Sequence, residues 1–203
     1  MTSRPVVAVL DYGIGNLRSA QKALERVGAD ARLTADPAEI AAADGVVLPG
    51  VGAFGRCMEA LRDSGLDKAA LDAVAAARPF LGICVGMQLL YQASEEDPGV
   101  EGLGVLPATV RRLPDTVKRP QMQWNALDVA GEPEMLAGLE RPLWVYFVHS
   151  FAPEAHAGVV ATCDYGGPVV AAVQDGRLWA TQFHPEKSGH TGMGILRNFV
   201  ASL

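Results

Sequence analysis

Residues 5–83 alternate between short apolar runs and stretches with helical periodicity, and this alternation restricts the fold more than any other feature of the chain. The run at 5–10 is rich in Val and is followed by Asn16, a residue type suited to capping a helix. Leu17, Ala20, Leu24 and Val27 then fall at i, i+3, i+7 and i+10, with Gly28 as a stop. The runs at 29–33 and 45–48 read as further strands, the second ending in the turn Pro49-Gly50-Val51-Gly52. Helical stretches at 54–62 and 66–77 lead to a fourth strand at 79–83, which runs straight into Cys84. Apolar strands separated by helices predict an α/β fold with a mostly parallel central sheet covered on both faces.

The second half has a different rhythm. Stretches at 106–113, 123–129, 143–148, 158–163, 169–174 and 178–182 are strand-like with little helix between them, and Asp175-Gly176-Arg177 is a hairpin turn between the last two. A helix from about Thr191 carries Met193, Leu196, Val200 and Leu203 on one stripe. No composition break marks a linker, so one domain over 1–203, with an antiparallel extension of the sheet, is the expectation. Hydrophobic residues at 49% against 20% charged place the chain among folded globular proteins. A net charge of -6 with no basic run disfavours nucleic acid as a partner. The apolar run that follows Arg4 is too short for a signal-peptide core or a bilayer span. Three cysteines without a CxxC pair argue against a disulfide framework or zinc site and for a reducing, cytoplasmic compartment.

The strongest chemical signal is Gly82-Ile83-Cys84-Val85-Gly86, set between a strand and a helical pattern formed by Met87, Leu90 and Tyr91. A lone cysteine is more often buried filler. Glycines on both sides, immediately after a strand, instead fit a nucleophile elbow, where the chain passes close to itself and small neighbours are required. The following helix start favours the thiolate. A thiol nucleophile needs a base that later serves as acid. Of His149, His156, His184 and His190, only His184 follows a strand within a suggestive sequence, Gln182-Phe183-His184-Pro185-Glu186. Pro185 biases His184 toward extended geometry, so that Glu186 can accept a hydrogen bond from the imidazole and orient it. His156 and His190 read as surface residues. The glycines around Val51 permit the peptide orientations that an oxyanion site needs, and the loop lacks the spacing of a nucleotide-binding loop.

Taken in order, PGVG at 49–52, GICVGMQLL at 82–90 and FHPE at 183–186 resemble the class I (triad-type) glutamine amidotransferases. DYGIGN at 11–16, MQWN at 122–125, YFVHSF at 146–151 and FHPEKSG at 183–189 narrow the resemblance to the glutaminase subunits of imidazole glycerol phosphate synthases, over essentially the whole chain. One departure is Gln123, where that family commonly has Gly. The resemblance implies the flavodoxin-like amidotransferase fold and glutamine as substrate. It assigns Cys84 as nucleophile, His184 as acid/base and Glu186 as orienting carboxylate, with oxyanion donors from the Val51–Gly52 region and Val85. Gln88 and the segment His149-Ser150-Phe151 would hold the substrate's α-groups, although by itself His149 reads as a strand-end histidine satisfied by a local hydrogen bond. Tyr12, Asn16, Trp124 and Lys187 would face a cyclase subunit, a (β/α)₈ barrel, in a heterodimer that forms imidazole glycerol phosphate and AICAR in histidine biosynthesis. No metal or cofactor is called for.

Two other readings stay open at this stage. A triad glutaminase of another pathway would share Cys84, His184 and Glu186 but would not be expected to carry DYGIGN or YFVHSF. A catalytically silent binding module on the same scaffold would be expected to have lost at least one of the three.

Overall fold

A computed structural model describes residues 4–203. The predicted alternation produces β1 (Val6–Leu10), α1 (Leu17–Arg26), β2 (Asp30–Thr34), α2 (Pro37–Ala42), β3 (Gly45–Gly50), α3 (Phe54–Asp63), α4 (Leu66–Ala75), β4 (Phe80–Cys84) and α5 (Val85–Gln88). After these come β5 (Ala93–Ser94), β6 (Thr109–Arg112), β7 (Gln121–Ala126), β8 (Asp128–Val129), β9 (Trp144–His149) and β10 (Phe151–Pro153). The chain closes with β11 (Val159–Asp164), β12 (Pro168–Asp175), β13 (Leu178–Thr181) and α6 (Gly189–Ala201). Single 3₁₀ turns lie at Glu134–Leu136 and Pro185–Lys187.

Eight strands form one sheet in the order β2-β1-β3-β4-β13-β12-β11-β8. Pairing is parallel from β2 through to β13 and antiparallel beyond it, where the β12–β13 hairpin turns at Gly176. The expected mostly parallel sheet with an antiparallel extension is therefore what the chain builds. The smaller groups β10-β6-β5 and β7-β9 stand apart from it. Strands β3 and β4 are buried along their whole length, as near-continuous apolar runs must be when helices cover both faces. Leu24 of α1 and Leu61 of α3 are fully buried, and each contributes about 1.5–3 kcal/mol relative to exposure.

Several boundaries differ from expectation for identifiable reasons. Helix α2 escapes a periodicity search because it has six residues and one buried anchor, Ile40; the Asp36 side chain caps it by accepting from the Ala38 N–H. Pro49 and Gly50 continue β3 instead of starting a turn, because they pair with Ile83 and Cys84 of β4. The strand expected at 123–129 divides, its first part pairing with β9 and its last residues with β11. The helix after Cys84 is only four residues long. The carbonyls of Leu89, Leu90 and Tyr91 turn away to accept from Leu103, Leu106 and Gly104, which ends the helical ladder. Asn16 sits at the start of α1 as expected, but its side-chain oxygen accepts from the Ser19 hydroxyl rather than from a backbone N–H.

The register places the site. Gly50 lies opposite Cys84, and Thr181 lies opposite Ile83. Three parallel strands thus end at one edge of the sheet, and the segments leaving them emerge side by side. That is where α/β sheets form crevices.

Candidate active site

Cys84 ends β4 with φ +55° and ψ −114°, a conformation that is strained for any residue other than glycine. The neighbouring glycines explain how the chain tolerates it. A methyl at Gly86 would collide with the Leu48 carbonyl of β3, and one at Gly82 would sit 3.0 Å from Met87 Cα. The expected elbow is present, with Gly86 as its more demanding glycine. Cys84 opens onto a cavity of about 260 Å³ whose wall includes Val51, Gly52, Val85, Gln88 and His184.

His184 follows β13 and is buried. Its N–H donates to the Tyr146 carbonyl at 3.2 Å, and its own carbonyl accepts from the Ser188 hydroxyl at 2.6 Å. Ser188 in turn accepts from the Tyr146 N–H at 3.0 Å, so one hydroxyl ties the His184 turn to β9. The Nδ1 of His184 is 2.8 Å from Glu186 Oε1, both side chains being 3% exposed. Cys84 and His184 line the same cavity, and Cys84 acts on the imidazole together with Glu186. Burial by itself would pull the imidazole pKa down; the hydrogen bonds and charges of Cys84 and Glu186 outweigh it and hold the pKa at about 9. The other Glu186 oxygen is buried without a hydrogen-bond partner among the described residues, so the His184 pairing is what compensates this carboxylate.

The remaining wall is polar and tightly tied. Gln88 donates both amide hydrogens, to the Phe151 carbonyl at 2.9 Å and to Gln182 Oε1 at 3.0 Å. Gln182 places its own amide nitrogen 3.9 Å from Cys84 Sγ. His149 is buried and donates from Nδ1 to the same Phe151 carbonyl at 2.9 Å, which is the local satisfaction its sequence context suggested. Burial pushes its pKa down to about 4, so the ring is neutral and Nε2 carries a lone pair. Gln121 places its Oε1 3.0 Å from the Nε2 of that ring and its amide nitrogen 3.7 Å from Cys163 Sγ.

The structure gathers Cys84, His184, Val51, Gly52, Val85, Gln88, His149, Ser150 and Phe151 around one cavity, together with Glu96, Pro120 and Val148. Sequence reasoning did not single out Glu96, Pro120, Gln121 or Ser188. Glu96 is the acidic group on the wall; one of its oxygens accepts from the Phe54 N–H at 2.9 Å, and burial raises its pKa against that bond. Gln121, Ser188 and Gln182 lay within or beside quoted motifs, but only the fold gives them partners.

Two expectations need correction. Tyr12 is buried, with its hydroxyl donating to the Pro49 carbonyl at 2.7 Å, so it supports the Pro49–Gly52 segment from below and presents no face to a partner. His156 is half-buried instead of a surface residue, because its ring takes up the Tyr91 hydroxyl at 2.9 Å. The other rim residues fall where a partner can meet them: Trp124 is 49% exposed, Lys187 is exposed and Asn16 is half-buried. The outer face of the β7–β9 ribbon carries Met122, Trp124, Trp144 and Tyr146, and Val148 on that face also lines the cavity.

A family model described as "Glutamine amidotransferase class-I" matches residues 8–203. Relatives named "Imidazole glycerol phosphate synthase subunit HisH" include one from Mycolicibacterium paratuberculosis, 49% identical over 208 residues and covering 100% of both chains. Another, from Methanothermobacter thermautotrophicus, is 47% identical over 196 residues, 96% of this chain and 98% of the relative. A solved structure described as "Crystal structure of glutamine amidotransferase" superimposes with a TM-score of 0.76 at 22% identity, over 97% of this chain and 99% of that one. A chain of PurLQS from Thermotoga maritima also reaches 0.76, at 18% identity and over 98% and 99% of the two chains. At such identities the solved structures speak to the fold alone, whereas the family match and the full-length relatives speak to descent. The chain belongs to the class-I glutamine amidotransferase family, and its curated relatives are imidazole glycerol phosphate synthase subunits.

Proposed function

We propose that this chain, acting as one amidotransferase domain, hydrolyses glutamine and hands the ammonia to a synthase partner, in the manner its relatives' name implies. The observation that carries this reading is His184, paired with the Glu186 carboxylate at 2.8 Å and sharing one cavity with a strained Cys84. Cys84 as thiolate attacks the carboxamide carbon of glutamine. The resulting oxyanion is met by backbone N–H groups of the Val51–Gly52 region and of Val85, whose N–H heads a helix and is not needed for its ladder. Imidazolium His184 donates its proton to the departing nitrogen, ammonia leaves and a thioester forms. Neutral His184 then takes a proton from water, which adds to the thioester and releases glutamate with the thiol restored. Glu186 keeps the imidazole in the required tautomer. The Glu96 carboxylate supplies negative charge for the substrate's α-ammonium, Gln88 shapes the wall with its oxygen toward the substrate, and the backbone around Ser150 and Phe151 receives the carboxylate.

Ammonia set free in neutral water becomes mostly ammonium and loses its nucleophilicity, so the chemistry favours direct transfer to a docked acceptor. The apolar outer face of the β7–β9 ribbon beside the cavity, with Trp124 and Lys187, is where we place that partner, a (β/α)₈ cyclase subunit in a one-to-one complex working in the cytoplasm. Among the described residues, no helix is long and apolar enough to cross a membrane. The test is a glutaminase and synthase assay of the chain with and without a cyclase subunit and its nucleotide substrate. Cys84→Ala abolishes glutamine-dependent synthesis and leaves ammonia-dependent synthesis intact; glutamine turnover surviving in that variant would refute the nucleophile.

A further inference from the structure

Ala53, the cap residue of α3, has no side-chain acceptor for the N–H groups of the first turn. Two consecutive carboxylates, each 42 positions further along the chain, satisfy them instead. The Phe54 N–H donates to Glu96 Oε2 at 2.9 Å, and the Gly55 N–H donates to Asp97 Oδ2 at 2.7 Å. Negative charge is favourable at a helix start, so both bonds are charge-assisted. The two acids differ in where they sit. Glu96 lines the cavity with Gln88 and Ser150, and Asp97 does not.

The helix makes room for Asp97. Gly55 is a poor helix former at the second position of α3, yet a methyl there would lie 2.9 Å from Asp97 Cγ, closer than such contacts allow. Within the loop, the Glu96 N–H donates to Ser94 Oγ at 3.2 Å and the Val100 N–H to the Asp97 carbonyl at 3.1 Å. These local bonds shape the turn, but they do not fix its distance from α3. The two carboxylate bonds do. Without the Asp97 carboxylate the Gly55 N–H loses its acceptor, and the Glu96 carboxylate, bonded to the preceding N–H, is drawn along the turn toward it.

We infer that Asp97 is a positioning residue for glutamine binding, its bond to Gly55 fixing the loop on α3 so that Glu96 keeps a carboxylate oxygen at the cavity for the α-ammonium. The inference rests on the glutaminase reading and on the role given there to Glu96. The ammonium is remote from the carboxamide and keeps the same contact before and during reaction. Losing that contact therefore raises KM and leaves kcat in place.

The experiment measures kcat and KM for glutamine, with Tm, on full chains with the partner subunit present. Asp97→Ala raises KM about five- to tenfold, part of what one hydrogen bond to a charged group is worth, with kcat within about twofold of wild type. Gly55→Ala, whose methyl pushes Asp97 away without removing a carboxylate, raises KM in the same way and serves if Asp97→Ala is too unstable to assay. Asp97→Asn, which keeps an oxygen for the Gly55 N–H, stays near wild type. In a Glu96→Ala background, adding Asp97→Ala changes kcat/KM by less than about twofold, because no carboxylate is left to place; a merely structural loss would recur there in full. The inference is overturned by an unchanged KM, by a fall in kcat alone, by Asp97→Asn losing as much as Asp97→Ala, or by an undiminished loss in the double variant. Wild type without glutaminase activity refutes the glutaminase reading and the inference with it. With wild type active, a normal KM in Glu96→Ala refutes the ammonium role of Glu96 and the inference alike.

Discussion

At the scale of single residues, the site depends on a histidine whose charge is set by its neighbours. Burial opposes the imidazolium of His184, and the Cys84 and Glu186 partnerships restore it, with a pKa of about 9. Because this folded value lies above the unfolded one of about 6.5, the stabilisation is fully present below about pH 6.5 and is lost as pH climbs through about 9. In the proposed mechanism the same proton is the one delivered to the leaving nitrogen, so kcat/KM for glutamine is expected to fall along an alkaline limb near pH 9. Glu186→Gln removes the charge that offsets burial. Its limb moves toward neutrality and its kcat drops by about 10²-fold or more, as a pH–rate profile would read; an unmoved limb would mean that Glu186 does not tune His184. The triad was legible in sequence because Gly82-Ile83-Cys84-Val85-Gly86 and His184-Pro185-Glu186 are each encoded within five residues. Glu96 and Gln121 were not legible, since an acidic residue in a loop and a glutamine at a strand start look the same whether solvated or buried.

Among the elements, the β4–α5 junction is the least tolerant. Cys84 can hold a positive φ only because Gly86 lets α5 start against the Leu48 carbonyl of β3. A backbone oxygen in the middle of a paired strand cannot move aside as a side-chain tip can. Gly86→Ala is therefore expected to cost at least the 1–3 kcal/mol typical of overpacking, to lower Tm by several degrees and to abolish glutaminase activity by displacing Cys84. Thermal melts beside an activity assay check this, and a fully active variant would show that the elbow can relax. The helix pattern through Tyr91 misled for a related reason. Leu89, Leu90 and Tyr91 have the apolar spacing of a helix, but segment 103–106 captures their carbonyls. Apolar periodicity reports burial, and hydrogen-bond competition from a distant segment decides whether that burial is helical.

For the whole molecule, the sheet order brings the cavity at Cys84 and an apolar ribbon face together. Trp124 leans on Tyr146 with its ring 6.0 Å away and remains 49% exposed, an aromatic side chain with surface left for a partner. Trp124→Ala should leave the Tm of the free chain within a few degrees and weaken cyclase binding by about 2 kcal/mol, roughly 30-fold, as truncating an interface anchor does. Calorimetric titration measures it, and unchanged affinity would move the docking face elsewhere. The sequence by itself determined the parallel βα alternation, the antiparallel extension, the elbow and the His-Pro-Glu turn. Each is written in local spacing, where backbone sterics and burial periodicity act over a few residues. Tertiary structure alone decided that Tyr12 reaches Pro49 across 37 positions, that Glu96 meets Phe54 across 42, and that Gln182 meets Cys84 across 98. Those meetings depend on strand order and register, which no local pattern encodes. They turned a residue expected at the rim into a support beneath the Pro49–Gly52 segment.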